Sequence, residues 1–197
     1  NFLSNMTEDT PINPVSEKGK IRADIFKMLM KAVDREEITA LVARGADFYG
    51  QGVAGSYLTQ MVTNNLIKDK NPKWIGKLNA IHNFTYSVDI GKGLALLGNT
   101  PEAYNQVWHL PTTNEKLTSR QWIDLFLNEM NKQKKIQTIS PSILGMLGLF
   151  IPVLKELKDI SYQVENDYFF NSDKFNSHFN FIPTSPAEGV KAIVNYL

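Results

Sequence analysis

Residues 44–55 read RGADFYGQGVAG and directly follow a short apolar run, ITALVA, at residues 38–43. A continuous apolar run of this length is typical of a parallel strand that is buried on both faces. Within the loop, residues 50–55 fit the pattern Gly-x-Gly-x-x-Gly, which in dinucleotide-binding folds approaches a pyrophosphate. The stretch therefore decides whether the chain contains a cofactor loop or a different connection from strand to helix.

The position of the glycines argues against the cofactor loop. A dinucleotide fingerprint has its first glycine at the very end of the strand, and an acidic residue follows the next strand. Here six residues, 44–49, separate the apolar run from Gly50. The next strand candidate, residues 74–76, is followed by Lys-Leu-Asn at 77–79, with no acid. We therefore interpret the glycines as part of another loop.

Short apolar strand candidates alternate with helix candidates along the chain. The strand candidates are residues 38–43, 74–76, 80–86, 106–110, 135–139 and 168–170. Helix candidates begin at or next to Ser16, Ser56, Ser87, Thr118, Pro141 and Ser185, and we expect Ser56, Ser87, Thr118 and Ser185 to cap them. This alternation predicts α/β organisation.

The first helix candidate carries two cations close to its start. Ile25 and Leu29 lie at helical spacing in an apolar row that we expect to be buried. Lys18 and Arg22 are four residues apart and continue that row toward the helix start. We therefore expect both side chains at the edge of the core, where they could form a site; the alternative is a solvated basic turn.

Composition limits the classes of function. The chain is 43% hydrophobic and 21% charged, with a formal net charge of +1. These values indicate a globular protein without a strong field for nucleic acid or an anionic membrane. The sequence has no cysteine, which fits a reducing, cytoplasmic location. His82, His109 and His178 are scattered without metal-ligand spacing, so we expect no metal site.

Two segments bear on location and on the extent of the protein. The start, NFLSNMTEDTP, is polar, lacks signal-peptide features and has no initiator Met, so we expect a longer protein. Residues 143–154 form the most apolar run, which Pro152 interrupts. The run is too short to span a bilayer, and a buried helix pair is favoured over an interfacial segment.

Several motifs resemble the NAD-dependent epimerase/dehydratase family, the extended short-chain dehydrogenase/reductases. The loop Arg44-x-x-Asp47-x-Tyr49-Gly50-x-Gly52 resembles Arg-x-x-Asn-x-Tyr-Gly-Pro-Gly, which in that family leads into the substrate domain. Residues 82–89, HNFTYSVD, resemble Arg-Asp-Phe-x-Tyr-Val-x-Asp. TEDTP at 7–11 and the tail at 173–189 also match in order and spacing.

The resemblance implies a fold class and a division into domains. The expected fold is α/β: part of a Rossmann-type doubly wound parallel sheet plus a smaller C-terminal α/β substrate domain. Residues 1–47 and 86–111 would belong to the NAD(P)-binding domain, and residues 48–85 and 112–197 to the substrate domain. The glycine fingerprint and the catalytic Ser/Thr of the family would precede residue 1. The expected cofactor is NAD or NADP, and the expected partners are a small-molecule substrate, the N-terminal part of the same chain and a second copy in a homodimer.

The family's catalytic Tyr-x-x-x-Lys is replaced here. The matching positions are Lys18 and Arg22. The resemblance implies that Lys18 would exchange a proton with the substrate oxygen and that Arg22 would hold the ribose hydroxyls of the cofactor. Arg44 is a further candidate for cofactor binding.

The expected substrate residues also depart from the family pattern. His82 stands where the family's Arg grips a diphosphate, and Asp47 stands at the family's Asn. Both changes weaken anion binding. Tyr49 and Tyr86 are candidates for the same substrate side. We therefore predict an NAD(P)-dependent oxidoreductase or epimerase-type protein for a small carbonyl or hydroxyl compound rather than a nucleotide sugar. The alternatives are a catalytically silent NAD(P)-binding sensor or scaffold and peripheral membrane association through residues 143–154.

Overall fold

The computed structural model describes residues 3–140 and 161–197. Helices and short strands alternate through them. In chain order they are α1 (Glu17–Asp34), β1 (Val42–Arg44), β2 (Asp47–Tyr49), a π-helix (Leu58–Thr63) that runs into α2 (Asn64–Ile67), β3 (Lys73–Ile75), β4 (Phe84–Tyr86), α3 (Ser87–Gly98), a 3-10 turn (Pro101–Ala103), β5 (Val107–His109), α4 (Ser119–Glu129), β6 (Gln137–Ile139), α5 (Tyr162–Glu165), α6 (Asp173–His178) and α7 (Pro186–Tyr196).

All named strands pair in parallel. β1 pairs with β5, β2 pairs with β4, and β3 pairs with β6. Parallel pairing needs a crossover between the strands, and helices supply it here, so the predicted α/β class is confirmed. The predicted strand at 168–170 is reduced to isolated bridges at Tyr168 and Phe170.

The first strand differs from its prediction. β1 covers Val42–Arg44 only, and Ile38 is 42% exposed, so the prediction of a strand over 38–43 buried on both faces is wrong at its start. An apolar run indicates which residues favour burial, but the hydrogen bonds to the neighbouring strand decide where a strand begins. Here the ladder with β5 starts at Val42, opposite Val107.

Two helix caps follow the sequence closely and two do not. Thr118 and Ser185 each form a complete capping box, with Gln121 and Glu188 respectively. Ser56 does not cap its helix: it is 5% exposed and its hydroxyl has no hydrogen-bond partner among the residues of 3–140 and 161–197. Ser87 is the first residue of α3 rather than its cap.

Two apolar clusters form the main core. The larger surrounds Trp122 and joins β2, β3 and β4 to the π-helix, α4 and α7; its members include Tyr49, Val62, Trp74, Phe84, Phe126 and Val190. The second surrounds Trp108 on β5 and contains Leu97, Ala103, Leu110 and Phe175. The proposed boundaries between two domains stay a prediction.

One face of α1 is open. Ile21, Ile25 and Met28 are 58%, 55% and 68% exposed, so the expectation that the row through Ile25 is buried is wrong. The opposite side of the helix faces β1, where the Arg44 guanidinium lies 4.9 Å from the Phe26 ring centroid. Of the row predicted to be buried, Ile25 is therefore exposed and Leu29 is half-buried.

Among the described residues, no helix combines the length and the apolar character needed to cross a membrane. The apolar run at 143–154, and most of the helix predicted from Pro141, lie outside the described residues.

Candidate functional site

Asp47 and His82, two of the predicted substrate residues, form a direct pair. Asp47 opens β2 and His82 comes shortly before β4, and the parallel pairing sets Asp47 opposite Phe84. This register brings the His82 Nε2 to 2.8 Å from the Asp47 Oδ2. The His82 side chain is 1% exposed and that of Asp47 is 34% exposed. The carboxylate is therefore the accessible group of the pair.

Neighbouring residues hold the imidazole of His82 in place. Tyr168 stacks on it with ring centroids 4.9 Å apart, and the indole of Trp122 donates a hydrogen bond to the His82 carbonyl at 2.8 Å. The His82 Nδ1 has no hydrogen-bond partner in the described chain. The contact from Nε2 is thus the hydrogen bond of this ring in the described residues, and it fixes the orientation of the Asp47 carboxylate.

A cavity of about 330 Å³ lies against this carboxylate. It is lined by Asp47, Phe48, Val53, Gly55, Ser56 and Tyr57. Burial, followed by the charge of Asp47, raises the pKa of Tyr57 to about 12. The phenol therefore stays neutral near pH 7 and keeps its proton for donation. Sequence reasoning missed Ser56 and Tyr57 as lining residues, although they follow the glycine loop directly.

A second polar cluster lies where β1 and β5 end. Their register sets Arg44 opposite His109. The Glu8 Oε1 accepts a hydrogen bond of 2.8 Å from the backbone N–H of His109, and the Arg44 Nη1 donates to the Glu8 carbonyl at 3.4 Å. Burial lowers the pKa of Arg44, and the charge of Glu8 opposes that shift. Arg44 thus contacts both the N-terminal loop and α1.

His109 is the part of this cluster for which the sequence suggested no role. It is 2% exposed and stacks on Phe170 at 3.8 Å between ring centroids. Its Nδ1 donates to the Asn171 carbonyl at 2.7 Å, and burial lowers its pKa. A neutral imidazole with a fixed tautomer results. Its position at the carboxyl end of a parallel strand was the only signal in the sequence.

Lys18 and Arg22 lie on the first two turns of α1, and both residues are exposed. Lys20, between them, pairs with Glu17 at 2.6 Å. The expected position at the edge of a packed row is not found, because the apolar row that follows is itself open. The catalytic and cofactor-binding roles of Lys18 and Arg22 stay predictions.

Neither tyrosine of the substrate prediction is among the described residues that line this cavity. Tyr49 is 1% exposed and its ring packs against Phe84, Tyr86 and Trp122 within the larger core. Burial raises its pKa. Tyr86 donates from its hydroxyl to the Gln51 Oε1 at 2.8 Å and so ties the glycine loop to β4. Both residues support the loop that carries the cavity.

The structure requires a glycine at position 50. Its φ is 151°, and a Cβ there would lie 1.9 Å from the Ser87 Oγ. The glycine loop therefore passes directly over the start of α3, which excludes any side chain at this position.

In the described ranges, no group of three or more His, Asp or Glu residues is placed to hold a metal ion.

Comparison with protein-family models and with curated proteins found no match. Solved structures are similar in fold. The dTDP-glucose 4,6-dehydratase of Bacillus anthracis, solved with NAD, has a TM-score of 0.76 and 16% identity, over 98% of this chain and 55% of that one. The UDP-glucuronic acid 4-epimerase of Bacillus cereus, also with NAD, has a TM-score of 0.74 and 15% identity, over 98% and 55%. The UDP-glucose 4-epimerase of Thermus thermophilus, solved with NAD, has a TM-score of 0.74 and 15% identity, over 98% of this chain and 57% of that one.

These similarities confirm, at the level of the fold, the resemblance to NAD-dependent epimerases and dehydratases. The chain spans about half the length of these structures.

Proposed function

We propose that this chain, which has the fold of about half of an NAD-dependent epimerase or dehydratase, is part of an NAD(P)-dependent oxidoreductase or epimerase/dehydratase-like protein. The proposed substrate is a small carbonyl or hydroxyl compound and not a nucleotide sugar. Support for the cofactor comes from the similar structures, which were solved with NAD. The observation that carries the substrate proposal is the pair of Asp47 and His82.

The charge of this pair disfavours a diphosphate. The resemblance implies Asn and Arg at these two positions in relatives that bind nucleotide sugars. Here the more exposed group is a carboxylate, and the imidazole behind it is 1% exposed. A diphosphate brought to this surface would meet a like charge and no accessible cation from the pair. A neutral or less charged compound would not meet that repulsion.

The open face of α1 supports the proposed partner, which is a further part of the same chain. Ile21, Ile25 and Met28 are each more than half exposed, and this chain covers 55% of the dehydratase structure. We propose that a preceding segment covers this row and carries the pyrophosphate loop. Arg22 and Arg44 would then face the cofactor, and Lys18 would exchange the proton.

A second candidate is a catalytically silent NAD(P)-binding sensor or scaffold. It is favoured by the replacement of the tyrosine hydroxyl by an ammonium at Lys18, on a turn that is exposed. Such a protein would keep cofactor binding and lose the chemical step.

Calorimetry with NAD and NADP, followed by turnover assays on aldehydes, ketones and alcohols, tests both candidates in the full-length protein. For an enzyme, Lys18→Met should lower kcat by about 100-fold or more, because it removes the proton donor, and should leave the cofactor Kd unchanged. Lys27→Met, at an exposed lysine of the same helix, is the matched control.

Failure to bind either cofactor would refute both candidates. Cofactor binding without turnover would select the sensor or scaffold. Tight binding of a UDP- or dTDP-sugar would refute the proposed substrate class.

A further inference from the structure

The cavity beside Asp47 has a negative charge. Among the described residues that line it, Asp47 is the charged one. Its Oδ2 accepts from His82 at 2.8 Å. The His82 side chain is 1% exposed and that of Asp47 is 34% exposed, so the carboxylate is the accessible group beside the cavity. Burial raises the pKa of Tyr168, and the charge of Asp47 adds to that shift.

The walls of the cavity suit a cation. Phe48, which is 47% exposed, and Tyr57 contribute aromatic rings, and ring faces attract ammonium groups. Ser56 lines the same cavity and is 5% exposed, and its hydroxyl has no partner in the described chain. A buried hydroxyl without a partner can bind a polar group of a ligand at little cost, since it gives up no existing hydrogen bond.

We propose that this cavity binds the ammonium group of a small cationic compound. The free oxygen of Asp47 pairs with the ammonium, the rings of Phe48 and Tyr57 lie along it, and the Ser56 hydroxyl bonds to a polar group on the neighbouring carbon. The site therefore selects an amino-bearing alcohol or carbonyl compound. This identification as substrate rests on the proposed function, whereas the binding itself does not.

His82 acts here as a positioning residue. The stack with Tyr168 holds the imidazole, and the hydrogen bond from Trp122 holds the backbone carbonyl of His82. The imidazole in turn holds one carboxylate oxygen. The second oxygen of Asp47 is then available to the cavity. The pair thus converts a position that in the family pattern serves an anion into one that serves a cation.

The test uses three two-carbon probes that differ in one group: ethanolamine, ethylene glycol and glycolate. Binding to the full-length protein is followed by NMR titration at pH 7. We expect ethanolamine to bind at least about tenfold more tightly than ethylene glycol, because an ion pair and ring contacts are added. Glycolate should bind least.

Asp47→Asn removes the charge and keeps an oxygen for the imidazole, so the preference for ethanolamine should disappear. Asp69→Asn is the matched control, because Asp69 is an exposed carboxylate that pairs with Lys132 and Lys134 away from this cavity. Should Asp47→Asn fail to fold, Phe48→Leu tests the same cavity and should weaken ethanolamine binding alone. Equal binding of ethanolamine and ethylene glycol, or tighter binding of glycolate, would overturn the proposal.

The outcome is separable from that of the proposed function. Selective ethanolamine binding in a protein that binds no NAD(P) would leave the cation site standing and refute the oxidoreductase. Cofactor binding with turnover of uncharged carbonyl compounds, but without selective ethanolamine binding, would support the oxidoreductase and refute the cation site.

Discussion

Helices α4 and α1 both carry apolar residues at helical spacing, and their surroundings are opposite. On α4, Trp122, Ile123 and Phe126 are all 0% exposed. On α1, Ile25 and Met28 are 55% and 68% exposed. The spacing identifies the apolar face of each helix. Whether that face is buried depends on what lies opposite, which periodicity does not contain.

The surroundings of α4 show what closes such a face. Trp122 packs edge-on against Tyr49 and Phe84, with ring centroids 5.0 Å and 5.1 Å away. Its indole N–H donates to the His82 carbonyl, so the packed face is also tied to the segment that carries the candidate site. The contacts come from β2 and β4, far from α4 along the chain.

The largest contrast is expected between core truncations on the two helices. Trp122→Ala should lower the free energy of unfolding by about 3–5 kcal/mol, because it leaves a cavity and removes a buried hydrogen bond. In the same 197-residue chain, Met28→Ala should change it by no more than about 0.5 kcal/mol, as exposed positions do. Urea unfolding followed by circular dichroism measures both.

A loss of unfolding free energy for Met28→Ala close to that for Trp122→Ala would contradict the contrast between α1 and α4. For Met28→Ala, a larger loss of unfolding free energy in the full-length protein than in this chain would indicate that a further segment covers α1.

Unlike the core truncations, mutations of the two helix caps should have similar effects on α1 and α4. Ser16 accepts from the Gly19 N–H on α1, and Thr118 accepts from the Gln121 N–H on α4. Ser16→Ala and Thr118→Ala should each destabilise by about 1 kcal/mol, because a cap is a local interaction. The Ser→Thr and Thr→Ser exchanges at the two sites are the matched controls and should be nearly neutral. An effect at Thr118 alone would indicate that α1 is not held as a helix in solution.

The smallest expected effect concerns the exposed pair of Glu17 and Lys20 on α1. The hydrogen bond and charge of Lys20 lower the pKa of Glu17 below its usual 4.5. The folded state therefore binds the proton less readily, so this contribution is present above pH 4.5 and is lost as pH falls through the lowered value. Glu17→Gln should flatten the acid limb of the stability profile slightly.

The same measurement at high salt serves as the control, because screening should shrink the difference between Glu17→Gln and the unaltered chain. A salt-independent difference would contradict the assignment to this pair. Asp124→Asn, at a partly buried residue of α4, gives the comparison on the other helix.

Local signals in the sequence predicted well where the interaction is itself local. The capping boxes at Thr118 and Ser185 span three residues each and are found as expected. Ser56 failed as a cap because its segment begins as a π-helix and its hydroxyl is buried. Several strands were predicted to within a few residues, but β2 lies in the stretch that was interpreted as a loop, and residues 168–170 form only isolated bridges. β1 proved shorter because its ladder with β5 sets its length.

The candidate site was only half predictable. Asp47 and His82 stood out as departures from a known motif, and the parallel register of β2 and β4 joined them. The stack of Tyr168 on His82 and the hydrogen bond from the His109 N–H to Glu8 escaped prediction, because the partners are 86 and 101 residues apart. Contacts over such separations depend on the path of the whole chain.

By itself, the amino-acid sequence determined the α/β class, the caps at Thr118 and Ser185, the apolar faces and the residue types at the candidate site. Each of these follows from interactions within a few residues or from side-chain chemistry. Only the tertiary structure decided that Asp47 faces a cavity with His82 buried behind it, that Tyr49 lies in the core, and that the row on α1 is open. Burial and electrostatic environment are properties of what packs opposite a residue, and the chain brings those partners together only when it folds.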